Sequence, residues 1–350
     1  MRRRGDLVMS SVQVTRWWWV RHAPVRDHVG VLYGQRDVPC DTSDRRSFEG
    51  LAGKVPEGAV WVTSHLSRAI DTAARTLHLD PIAIRRRNLV TRESMPFTNP
   101  IGATYDSGAY EQALDKAVDA ADLPGFAARK AITEALGKCR GLGIAHYVES
   151  SIGAPHERAE IRIGVDGRTR LVIGTQPTGQ GQETSFAQVT ADCLGIDFSD
   201  IDVVTGDTAI VSSGGGSHSG RSMRHAGTVI SMAAEDLIGT AKRIIAQGTD
   251  VDTDHIDFEG GVFRVAQSNL SMQWTDVAKR LEELDLGEAF PNGLEVMRDN
   301  EMHTPVFPNG CAVCEVVVDP QTGEVEVAHY VSVDDVGRAI NPLILHGQAH

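Results

Sequence analysis

The chain is short of several features that would settle its class at once. Five cysteines in 350 residues are too few for a disulfide framework at this length. No apolar run approaches the roughly 18 residues that a membrane-spanning helix requires, so no span is expected. Met1-Arg2-Arg3-Arg4 has the charge of a secretory leader, but no apolar stretch follows it, and the expected location is cytoplasmic. Basic residues are in deficit. The balance of 34 Lys and Arg against 47 Asp and Glu gives a net charge of −13, which argues against a nucleic-acid surface. Internal repeats and low-complexity tracts are missing too. What remains, with 41% hydrophobic and 23% charged residues, is a globular chain long enough for two or three domains.

The charge is unevenly spread. Residues 1–76 hold 12 Lys and Arg against 8 Asp and Glu, whereas everything after them is strongly acidic. A sign change of this kind suggests two unlike pieces joined near residue 77. In the first piece, the β-type run Trp17-Trp18-Trp19-Val20 ends in Arg21-His22-Ala23-Pro24. A second run, Ala59–Thr63, ends in Ser64-His65-Leu66-Ser67-Arg68. Polar residues at the carboxyl ends of strands are α/β grammar.

From residue 77 onward the pattern is α+β. Asp80 before Pro81 reads as an N-cap and N1 proline. Apolar residues at three- and four-residue spacing predict helices over Tyr110–Ala121 and Pro124–Leu136. Strands are expected at Leu142–Val148, Ala159–Val165 and Arg170–Thr175, with a hairpin turn at Asp166-Gly167. Further strands follow at Asp202–Thr205, Gly261–Val265, Ala312–Val318 and Val325–Val333. Helices are expected over Thr184–Leu194 and from Met223 to about Ala246.

Two glycine-rich turns stand out, Gly179-Gln180-Gly181-Gln182-Glu183-Thr184 and Gly214-Gly215-Gly216-Ser217-His218-Ser219-Gly220-Arg221-Ser222. Each leads into a helix, which aims backbone N–H groups and a helix N-terminus at something anionic. Neither run is followed by Lys, so neither is a Walker P-loop, and Gly214–Gly220 does not lead into the βαβ unit with its acidic residue that a Rossmann fingerprint needs. Either turn alone reads as an ordinary tight turn. Together they imply one elongated polar ligand held from two sides by donors that carry no fixed charge. Arg221 has two readings at this stage, neutralising a ligand phosphate or pairing with an acidic neighbour.

Several ordered segments carry a family resemblance. They are Leu79-Asp80-Pro81 with Arg85-Arg86-Arg87-Asn88, Pro96-Phe97 with Tyr105–Gly108, Gly179–Thr184, Gly206-Asp207-Thr208, Ser217–Ser222, Pro308-Asn309-Gly310-Cys311, Asp319–Gly323, Val333–Arg338 with Ile340-Asn341-Pro342, and Gly347–His350. On these, residues 77–350 resemble the large, molybdenum-binding subunit of the xanthine dehydrogenase, aldehyde oxidase and carbon monoxide dehydrogenase family. The resemblance implies a molybdenum-cofactor-binding domain and an oxidoreductase that hydroxylates a carbon centre of a small molecule with oxygen from water. It implies a molybdenum-pyranopterin cofactor, in its cytosine dinucleotide form, held without direct protein ligation of the metal. The cofactor would be bound by Gly179, Gln180, Gly181, Gln182, Glu183, Thr184, Ser217, His218, Ser219, Gly220, Arg221 and Ser222. Iron–sulfur clusters and FAD are expected on partner subunits. The family's general-base Glu has no counterpart here, since Glu183 lies in a cofactor turn and Glu315 in a strand. The domain is therefore expected to be incomplete, with no assigned catalytic residue.

Residues 1–76 resemble the start of the histidine phosphatase, or phosphoglycerate mutase-like, superfamily, through Arg21-His22-Ala23, Tyr33-Gly34-Gln35 and Ser64–Ala69. That resemblance implies His22 as a phosphorylated nucleophile with Arg21 and Arg68 as phosphate clamps. It offers a phosphohydrolase as the alternative reading, and a non-catalytic fusion remnant as a third. Cys311-x-x-Cys314 is a single CxxC flanked by apolar residues, and is expected on a buried strand rather than at a metal.

Overall fold

In a computed structural model of the protein, residues 71, 74, 78–247, 249 and 251–349 are described. The phosphatase-like stretch, with Arg21, His22 and Arg68, lies outside them. The described residues divide into two compact units. One joins the chain up to Val148 with Asn309–Asp335, and the other joins Glu149–Pro308 with the segment from Val336.

The first unit begins with α1 (Pro81–Asn88). Asp80 caps it through bonds to the N–H groups of Ile82 and Ala83 (3.3 and 3.0 Å), and Pro81 occupies the first turn as expected. A short hairpin, β1 (Phe97–Thr98) with β2 (Thr104–Tyr105), follows. Next come α2 (Tyr110–Ala120), α3 (Phe126–Ala135) and β3 (Cys139–Val148). The sheet is completed by β11 (Asn309–Val318) and β12 (Val325–Asp335) in the antiparallel order β12-β11-β3. Ala113, Leu114 and Ala117 of α2 form a small core with Ile144, Cys311 and Val313.

Cys311, Val313, Glu315 and Val317 alternate along β11 on its buried side. Cys314, three residues from Cys311, falls on the opposite face of the pleat. The CxxC is therefore a strand feature, and its two sulfurs do not converge. Glu315 occupies an otherwise apolar register position. A fully buried carboxylate needs partners, and Arg129 (2.6 Å) and Arg140 (2.7 Å) supply them.

The second unit is built on a mixed sheet in the order β10-β4-β5-β6. β4 (His156–Ile163) and β5 (Thr169–Ile173) form the hairpin around Asp166-Gly167. From β5 the chain crosses through α4 (Gln182–Leu194) to β6 (Ile201–Val204), which pairs parallel with β5. α5 (Ser222–Gln247) is the longest helix of the described residues. Its buried positions Ala226, Val229, Ile230, Ala233, Ala234, Leu237, Ala241 and Ile244 recur at three and four residues, so one stripe faces the sheet. A small antiparallel sheet, β7 (Ile256–Glu259), β8 (Val262–Val265) and β9 (Ser271–Gln273), precedes α6 (Trp274–Glu283). Trp274 anchors this subassembly. Its ring packs against Phe263 at 4.9 Å, and its Nε1–H donates to Leu194 O at 2.8 Å. β10 (Glu295–Glu301) forms the far edge of the main sheet, and α7 (Pro342–Ala349) closes the chain.

Arg129, then Arg140, hold the Glu315 carboxyl below its usual value against the opposing effect of burial. A carboxylate with a depressed folded pKa stabilises at neutral pH and loses that contribution as pH falls through the carboxylate range. Glu315→Gln should lower stability at pH 7 by about 3 kcal/mol. It should also flatten the acid limb of the stability–pH curve, measured by urea denaturation. An unchanged acid limb would contradict this role.

Candidate functional site

Both glycine-rich turns belong to the second unit. The first runs from the end of β5 into α4. Thr178 N donates to Gln180 Oε1 at 2.6 Å, which folds the Gln180 side chain back on its own loop. Gly181 stands at the N-cap of α4 and provides no capping side chain. The N–H groups of Gln182, Glu183 and Thr184 accordingly meet no protein acceptor among the described residues. The positive end of a 13-residue helix is left open. Glu183 and Thr184 are exposed, and Thr184 also lines a cavity of about 420 Å³ beside Gln188, Asp192 and Arg338.

The second turn is held from beneath by Arg221, which is completely buried. Its Nη1 pairs with Glu157 Oε2 at 2.8 Å and donates to Gly216 O at 2.6 Å. Nε donates to Ala154 O and Nη2 to His156 O, both at 2.8 Å. Glu157 also accepts from Thr175 Oγ1 at 2.6 Å. Of its two sequence readings, Arg221 takes the acidic-neighbour one. This speaks against the reading in which it neutralises a ligand phosphate, because every guanidinium nitrogen is spent on the protein interior. His225, one helical turn along α5, accepts from Arg221 Nη2 through Nδ1. Burial first, then the charges of Arg221 and Arg224, push its pKa down.

Tight backbone packing sets the path of this loop. A Cβ on Gly214 would overlap the Cα of Gly174 at the end of β5, and the reverse holds for Gly174. Gly220 combines φ +65° with a close approach to Ser151, so a serine there would be strained and crowded. His218 is exposed and staples its own loop, with Nε2 against Gly215 O at 3.2 Å and Nδ1 against Ser219 Oγ at 3.1 Å.

The two turns meet. Gln182 Nε2 donates to Ser217 Oγ at 3.3 Å, and Ser217 Oγ lies 2.8 Å from Ser222 Oγ at the start of α5. Gln182, Ser217 and Ser222 thus form one polar cluster beside the open end of α4. Of the other residues singled out from sequence, Gln180 and His218 are engaged within their own loops and Arg221 points inward. Glu157 and Thr175, which fix the whole arrangement, gave no sequence signal. Glu157 occupies a position that strand alternation assigns to a core side chain.

Replacing Arg221 with Lys keeps the charge but loses the planar fork that reaches Glu157 and three carbonyls. Arg221→Lys should destabilise the unit by about 3 kcal/mol, the order expected when a buried pair is broken. Calorimetry would show it, and a wild-type melting temperature would refute the assignment.

The profile of the molybdopterin cofactor-binding domain matches residues 116–350. The carbon monoxide dehydrogenase large chain of Hydrogenophaga pseudoflava is 32% identical over 91% of this chain and 42% of its own length. The nicotine 6-hydroxylase large subunit of Paenarthrobacter nicotinovorans is 32% identical over 86% of this chain and 39% of its own. The solved structure of reconstituted CO dehydrogenase from Oligotropha carboxidovorans superposes with a TM-score of 0.72 at 30% identity, covering 81% of this chain and 37% of that one. The chain therefore spans about two fifths of the length of these relatives. A match over 91% of 350 residues also reaches upstream of residue 77. The comparisons give the phosphatase resemblance of that region no support.

Proposed function

The chain belongs to the molybdopterin cofactor-binding family, and from that premise we propose that its two glycine-rich turns hold the molybdenum-pyranopterin cofactor of a carbon-hydroxylating oxidoreductase. The observation that carries the reading is the contact between Gln182 and Ser217, which joins the turns into one site. The residues suit the group. The open N–H groups of Gln182, Glu183 and Thr184 at the start of α4 offer a pyrophosphate several donors and a favourable dipole. Gln182, Ser217 and Ser222 offer the pterin a mixture of donors and acceptors. With Arg221 committed inward, no guanidinium of this turn meets the phosphate, and the anion would be held by neutral groups and helix polarity.

The cofactor, when bound, supplies the two-electron redox chemistry. The chain's own contribution is to orient it. The start of α4 would hold the phosphate end, and Ser217 and Ser222 would hold the pterin. Gly179, beside which a Cβ would meet nothing within 4 Å, would let the cofactor approach the backbone closely. In its cytosine dinucleotide form the cofactor would present a pyrophosphate to the open helix end. The chain, which spans about two fifths of the length of its relatives, would then work with iron–sulfur and FAD subunits on a small-molecule substrate in the cytoplasm. No helix among the described residues is long and apolar enough to cross a membrane.

Purified protein should carry molybdenum and pterin in equal amounts, measured by elemental analysis and by fluorescence of the oxidised pterin. The double variant Gln182→Ala with Ser217→Ala removes the bridge between the turns. It should lower pterin retention about tenfold, the effect of losing one hydrogen bond's worth of binding, while the melting temperature stays unchanged. Full retention in the double variant would sink the site.

A further inference from the structure

A second constellation lies at the entrance to the same loop. His156 opens β4, and its Nε2 lies 2.8 Å from Asp299 Oδ1 on β10. Its Nδ1 lies 3.3 Å from Ser213 Oγ. Arg158 grips Asp299 through both carboxylate oxygens, with Nε to Oδ1 at 2.8 Å and Nη2 to Oδ2 at 2.7 Å. Its remaining nitrogen, Nη1, holds the neighbouring Ser212 Oγ at 3.0 Å. Ser213 is left facing the imidazole.

The protonation pattern follows from the partners. Arg158 first, then His156, hold the Asp299 carboxyl below its usual value, so at neutral pH it only accepts. In the neutral ring, Nε2–H then donates to Asp299 and the Nδ1 lone pair faces the serine hydroxyl. The arrangement is that of a serine–histidine–aspartate triad with the two ring nitrogens exchanged, so that Nδ1 rather than Nε2 would take the serine proton.

The loop is also stiff and supplied with donors. Ser212 is tied to Arg158, Gly214 abuts Gly174, and Gly216 O is tied to Arg221. Among the described residues, the N–H groups of Gly214, Gly215 and Gly216 donate to no protein acceptor. They follow the serine directly in sequence, as the amides of an oxyanion hole often do. His156 and Asp299 are partly open to solvent, with side-chain exposures of 33% and 42%, so a substrate can reach them.

The geometry points to a serine-hydrolase-type site for small carboxylic esters, with Ser213 as nucleophile, His156 as general base and Asp299 as the positioning residue. Ser213 Oγ bonds to the acyl carbon while its proton moves to His156 Nδ1. The ester C–O bond breaks, and the alcohol leaves with that proton. Water, deprotonated at the same nitrogen, then cleaves the acyl-serine and restores the enzyme with release of the carboxylic acid. The inference shares the 214–216 backbone with the cofactor reading but no side chain, since it uses neither the open end of α4 nor the Gln182–Ser217 contact.

The test uses the full chain with a fluorophosphonate probe and with p-nitrophenyl acetate. The probe should label Ser213, identified by peptide mass spectrometry. Ser213→Ala and His156→Asn should abolish labelling and lower ester hydrolysis at least tenfold. Asp299→Asn should lower kcat with little change in KM. Circular dichroism establishes that each variant is folded. An unlabelled Ser213 in folded protein overturns the inference, and so does labelling that persists in His156→Asn. Because Gln182→Ala with Ser217→Ala leaves this site untouched, loss of pterin binding in that variant is distinguishable from failure here.

Discussion

The buried pair between Arg221 and Glu157 is the constraint on which the site depends. Two charges withdrawn from water are expensive unless geometry and extra hydrogen bonds compensate them. Here the guanidinium also satisfies Ala154 O, His156 O and Gly216 O, and the carboxylate also accepts from Thr175. In a region without a strand ladder, one side chain does for several carbonyls what a neighbouring strand would do. It fastens the entry to β4, the exit of β5 and the second glycine turn to one point. The close approach of Gly174 and Gly214 follows from that fastening, since the loop can be drawn that tightly onto the sheet only where neither residue carries a Cβ.

Drawing Arg221 inward has an electrostatic consequence. The ligand-facing side of the turns is left with amides, hydroxyls and a helix end. A P-loop meets phosphate with a lysine at the same kind of helix start. In this chain the uncapped N-terminus of α4 offers backbone donors at the same kind of position, without a point charge. Such a site favours a ligand that combines a modest anionic stretch with a large surface of neutral donors and acceptors. A compact polyanion would be served poorly. The net charge of the chain pulls the same way, since the acidic surroundings discourage free polyphosphates.

Much of this was legible in the residues. The Asp80–Pro81 start, the two helices before β3, the Asp166-Gly167 hairpin and the long α5 all follow from local rules. In each, capping, periodicity and turn chemistry agree with the tertiary packing. Other elements gave no signal, for identifiable reasons. β10 reads Glu-Val-Met-Arg-Asp-Asn-Glu, and as an exposed edge strand it has no need of an alternating apolar face. α6 follows β9 without a break, so the capping box between Gln273 and Asp276 is hidden inside what looks like one run. The candidate site was half visible. The glycines announced the turns, but the direction of Arg221 depends on Glu157, 64 positions away in sequence. No local pattern could have chosen between its two readings. The Ser213–His156–Asp299 set is still less legible, since its members come from a loop and two strands brought side by side by sheet pairing alone.

Gly216 is where the loop divides its labour. On its amino side, Ser212 and Ser213 belong to the His156–Arg158–Asp299 group, which ties the loop to β4 and β10. On its carboxyl side, Ser217 and Ser222 belong with Gln182 and α4. The bond from Arg221 to Gly216 O lies between the two groups and holds the backbone fixed where they part. Two neighbouring chemistries can coexist in so short a stretch only if movement in one is not passed to the other. A buried, multiply bonded arginine at the junction meets that requirement, because shifting it would expose Glu157 to a dry interior without its counter-charge. The ion pair that builds the site therefore also insulates its halves.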